Sequence, residues 1–78
     1  MKLFRMEDLN YIGQKDGVHC WDHPQATNPY CWHPDWLHIA EDAMGIYPKE
    51  PLDVKEGEQA TEEDAKKAIV KHLNDNQD

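Results

Sequence analysis

Residues 20–35 read CWDHPQATNPYCWHPD, and the organisation of the whole domain turns on this stretch. Cys20-Trp21-Asp22-His23-Pro24 is answered eleven residues on by Cys31-Trp32-His33-Pro34-Asp35. The near-copies hold both cysteines and two of the five histidines of the chain. Three arrangements compete for them: a metal site, a disulfide, or unligated thiols packed in a core.

A structural zinc ion takes four ligands, usually thiolate and imidazole, in a tetrahedron. Cys20 and His23 sit at a spacing that a tight turn brings onto one ion. Cys31 and His33 point the same way if their segment is extended, because side chains of a strand alternate. The loop from Pro24 to Tyr30 can return the chain between the pairs. The preferred expectation is therefore a Cys2His2 zinc site of Cys20, His23, Cys31 and His33, with His19 and His38 in reserve. Mixed thiolate and imidazole ligands without a visible redox role favour zinc among the metals.

The need for a staple is plain from the length. A chain of 78 residues hides only about 60% of its unfolded surface, and domains of this size often add a metal, disulfides or a partner subunit. The start, MKLFRMEDLNYIG, shows neither the apolar stretch nor the cleavage site of a secretory signal. A cytoplasmic setting follows as the expectation, where cysteines stay reduced or bind metal.

Upstream, Tyr11 and Ile12 lead into GQKDG at 13–17, and Val18 to Trp21 lead out. Asp16-Gly17 favours the positive φ of a tight hairpin, so two short strands are expected. Downstream, Pro34-Asp35 suits a helix start. On a helical wheel Trp36, Leu37, Ile39, Ala40, Ala43 and Met44 share one arc and His38, Glu41 and Asp42 the other, which predicts a helix over 35–44 closed by Gly45. Residues 47–60 (YPKEPLDVKEGEQA) look like a linker held through Leu52 and Val54. Thr61 then caps a second helix over 62–74, with acids in its first turn and lysines later. The expected fold is α+β: a hairpin and a proline-rich, metal-stapled loop packed on two helices, one domain over 1–74, and a frayed tail at 75–78. Two of the three tryptophans should be buried.

Sixteen acidic and eight basic side chains give a net charge of −8. Residues 1–34 account for −1 of it and residues 35–78 for −7. No cluster of Lys and Arg is available for a phosphate backbone, so direct binding to nucleic acid or an anionic membrane is not expected. Nor does any stretch reach the ~20 apolar residues of a membrane span. No oxyanion-hole or substrate motif accompanies the cysteines, and enzyme activity is not expected. What remains is a binding module with an acidic surface, an inhibitor or adaptor of a basic, nucleic-acid-binding type of protein. Its contacts would come from Trp21, Trp32, Glu58, Glu62, Glu63 and Asp64. The alternatives are an accessory enzyme subunit docked through its Trp-rich loop, or a metal-handling protein.

Overall fold

Asp16 and Gly17 both take positive φ, 54° and 84°, and reverse the chain between β1 (Asn10–Lys15) and β2 (Val18–Asp22). This is the two-residue hairpin whose twist matches its strands, as Asp-Gly predicts. The structure, a computed structural model, describes residues 4–75. Three more strands follow: β3 (Tyr30–Trp32), β4 (His38–Ala40) and β5 (Pro48–Pro51). They form one antiparallel sheet in the order β1-β2-β3-β4-β5. A single α-helix, α1 (Glu62–Asp75), crosses one face of it. Before β1 the chain makes a short 3-10 turn at Met6–Asp8. Apart from Asp75, the expected frayed tail lies outside the described residues.

Register assigns the side chains to faces. His19 stands opposite Trp32, and Trp21 opposite Tyr30, whereas Cys20 between them stands opposite Cys31. Alternation along the strands thus sends His19, Trp21, Tyr30 and Trp32 to one side and the cysteines to the other. On the first side Trp21, Tyr30, Trp32, Ile39 and Leu52 meet Ala60, Ala65, Ala68 and Ile69 from α1 and its approach. Small residues on the helix let it lie close to the large rings. Trp21 and Trp32 are 1% and 2% exposed, and Trp36 is half-buried at the edge. The Trp32 indole N–H donates to the Trp36 carbonyl at 2.9 Å, which satisfies the one polar atom that burial would strand.

The start of α1 follows from Thr61. Its hydroxyl accepts the Asp64 backbone N–H at 3.4 Å, and the Asp64 carboxylate accepts the Thr61 backbone N–H at 3.0 Å. That reciprocal pair is a capping box. Lys71 near the far end donates to Glu50 of β5 at 2.9 Å and to Asp75 at 3.2 Å. Together these carboxylates raise its pKa, the bond to Glu50 most.

Three expectations are corrected here. Among the described residues there is one α-helix, not two: residues 35–44 do not form a helix but hold a turn, strand β4 and the start of a loop. The wheel failed because its arc is not what is buried. Ile39 and Ala40 lie in the interior, while Leu37 and Met44, on the same arc, stand exposed. Asp42 also diverts its carboxylate to backbone N–H groups ahead of it, as short polar side chains do when they favour turns over helix. The linker over 47–60 contains a strand as well. Pro48 and Pro51 disfavour that assignment, yet β5 is an edge strand, the place where proline is tolerated in a sheet. Leu52 does anchor this segment, in the main core. The fold class is therefore a five-stranded meander with one C-terminal helix.

Candidate interaction surface and the cysteine pair

Cys20 and Cys31 are joined in a disulfide, with Cα atoms 4.1 Å apart. This overturns both the zinc site and the expectation of reduced cysteines. Being directly opposite on adjacent strands, the two sulfurs meet each other before they can meet anything else. The histidines meant to join them are engaged elsewhere. His23 lies beyond the end of β2 and is buried; its Nδ1 accepts the Gln25 backbone N–H at 3.1 Å, and its ring packs edge-on against Phe4 at 4.7 Å. His33 lies beyond β3, where Nδ1 accepts the Asp35 N–H at 3.0 Å. Of the reserve ligands, His19 shares a hydrogen bond of 2.9 Å between its Nδ1 and the Tyr11 hydroxyl and lies between Trp21 and Trp32, its ring 6.0 Å from each. His38 stacks on Trp36, 5.7 Å away and within 4° of parallel. Among the described residues no group of three or more His, Cys, Asp or Glu side chains is arranged to hold a metal ion.

The residues assigned to a partner also divide. Trp21 and Trp32 are interior and present no surface. Glu58, Glu62 and Glu63 are exposed. Asp64 is half-buried and committed to the helix cap.

A surface that the sequence reading did not single out lies on the β4–β5 connection. Glu41 N–H donates to the Tyr47 carbonyl at 3.2 Å and closes a loop over 41–47. Inside it, Asp42 accepts the backbone N–H groups of Met44, Ile46 and Tyr47 at 3.1, 3.1 and 2.9 Å. These bonds, that from Tyr47 foremost, hold the carboxyl below its ordinary pKa. Gly45 adopts φ 73°, and a Cβ there would come within 2.9 Å of the Trp36 ring. The loop is thus fixed from inside and from below. Yet Met44, Ile46 and Tyr47 are 80%, 61% and 62% exposed. One signal for it was present: Asp three residues before Gly is a turn signature.

Beside this loop, Ala43 faces the β1–β2 hairpin across an open groove of about 240 Å³. Ile12, Gly13, Val18 and Cys20 supply most of its lining, with Gln14 and Lys15 at its polar side. Ile12 enters the groove region because β1 carries a bulge there: Tyr11 pairs with Trp21 and Gly13 with Cys20, leaving Ile12 extra. The groove lies on the cysteine side of the sheet, away from α1.

Compared with known protein families, curated proteins and solved structures, the chain matches none.

Proposed function

We propose that the protein is a non-enzymatic binding module that engages a protein partner with a basic surface, as an adaptor or inhibitor. The observation that carries this reading is the loop over 41–47, where Asp42 fixes the backbone that presents three exposed apolar side chains. Holding apolar groups rigid in water is costly to solubility and gains affinity, because less conformational freedom is lost on binding. The net charge of −8 adds complementarity to a basic partner. Glu58, Glu62 and Glu63 extend the acidic surface on the helix side. The Cys20–Cys31 bond supports an oxidising setting over a cytoplasmic one.

The test is selection of binders from a displayed peptide library, followed by titration of the synthetic peptides by calorimetry. Selected sequences should combine Lys or Arg with apolar residues. Their affinity should fall with rising salt and collapse for the pair Met44→Ser and Tyr47→Ser. Binders indifferent to both salt and this pair would refute the reading.

A further inference from the structure

We infer that the Cys20–Cys31 pair is a thiol–disulfide exchange site, with Cys20 as the exchanging sulfur and the groove as the seat of an apolar, cysteine-bearing peptide. The two cysteines differ in access. Cys31 is 4% exposed in the middle of the sheet, whereas Cys20 is half-buried and lines the open groove. An incoming thiolate therefore reaches Cys20 and not Cys31. Lys15 on the same wall offers a cation to that thiolate. Ile12, Val18 and Ala43 fit apolar neighbours of the attacking cysteine rather than charged ones. An anionic thiol such as glutathione is further opposed by the net charge of −8.

The step balances without a further reagent. The peptide thiolate attacks Cys20 Sγ, the Cys20–Cys31 bond breaks, and a peptide–Cys20 mixed disulfide forms. Cys31 leaves as thiolate and takes a proton from water. Reversal is attack by Cys31 on Cys20, which expels the peptide; Cys31 is thus the resolving partner. The fold can carry both states. Pairing of His19 with Trp32 and Trp21 with Tyr30 brackets the cysteines, and the buried Trp21, Tyr30 and Trp32 lie on the opposite face.

The experiment treats the oxidised native protein with a capped Leu-Cys-Leu tripeptide or with reduced glutathione, quenches in acid at intervals, and maps adducts by mass spectrometry. The mixed disulfide is expected on Cys20, with the tripeptide faster than glutathione by about tenfold, as an apolar pocket discriminates. Ala43→Trp, which fills the groove from an exposed position, should slow the tripeptide to the glutathione rate without lowering the melting temperature. In Cys31→Ala, presented with the tripeptide's own disulfide, the adduct should accumulate unresolved; the quenched native reaction stands if that variant does not fold. Adducts shared equally by both cysteines, equal rates for the two probes, or a rate that climbs with urea as global unfolding does would each overturn the inference.

Discussion

Asp42 accepts the backbone N–H of Tyr47, five residues ahead, at 2.9 Å, so one carboxylate spans the whole β4–β5 loop. The bond is stronger to the ionised form, and that form is favoured in the fold: the carboxyl titrates below its ordinary 3.8. A group with a depressed folded pKa contributes stability above its unfolded pKa and loses it as pH falls through the folded one. The contribution of this group should therefore be fully present at neutral pH and be lost on acidification below about 4. Urea unfolding at stepped pH should show a shallower decline over that window for Asp42→Asn, which lacks the titrating charge. Identical profiles for the two proteins would count against the assignment.

Gly45 and Gly57 give a matched comparison, since both take positive φ but only Gly45 has a ring above it. Gly57→Ala meets open space and should cost about 1 kcal/mol for its backbone alone. Gly45→Ala must also displace Trp36, and about 2 kcal/mol or more is expected. Tryptophan fluorescence should shift in the second variant and not in the first. Equal costs would mean that Trp36 does not rest on the loop.

Reduction of the disulfide should lower stability by about 3 kcal/mol, the loop-closure contribution for a bridge of this span, here eleven residues in sequence separation. Unfolding of the double variant Cys20→Ala, Cys31→Ala should match that of the reduced protein. Excess chelator should leave the oxidised protein's melt where it was. A melt lowered by chelator and untouched by reductant would restore the zinc site in place of the disulfide.

Ile69 is fully buried where α1 meets the sheet. Truncation to Ala there should cost about 2–5 kcal/mol. Met44→Ala, at an exposed position, should stay within about 0.5 kcal/mol. Chemical denaturation distinguishes them directly. A costly Met44 substitution would show that the loop's apolar side chains serve the fold rather than a partner.

What could be seen in the sequence was local chemistry with a single outcome. Asp16-Gly17 has few conformations open to it besides the hairpin turn, and Thr61 with acids after it and lysines beyond suits one end of one helix. The structure agrees at both places. Where two local rules competed, tertiary context chose. His38 to Ala40 fit a helical arc, but Ile39 was wanted in the core beside Trp32, and a strand places it there. The doubled motif misled for a related reason. Spacing says which side chains can converge, not which face of a sheet they occupy, and register alone puts Cys20 opposite Cys31. The candidate site on 41–47 was less legible still, because exposure of Met44, Ile46 and Tyr47 is a property of the surroundings and not of the residues.

The two outer strands have a bearing on how these molecules behave among their own kind. Two of the four residues of β5, Pro48 and Pro51, have no N–H to offer a neighbouring chain, and the Ile12 bulge breaks the even spacing along β1. An added strand would find missing donors on one flank and a misaligned ladder on the other. The sheet is thus finite in both directions. A small protein with sticky side chains on its surface can be crowded without zipping into fibrils, and whatever adheres to it must do so through side chains rather than by lengthening the sheet.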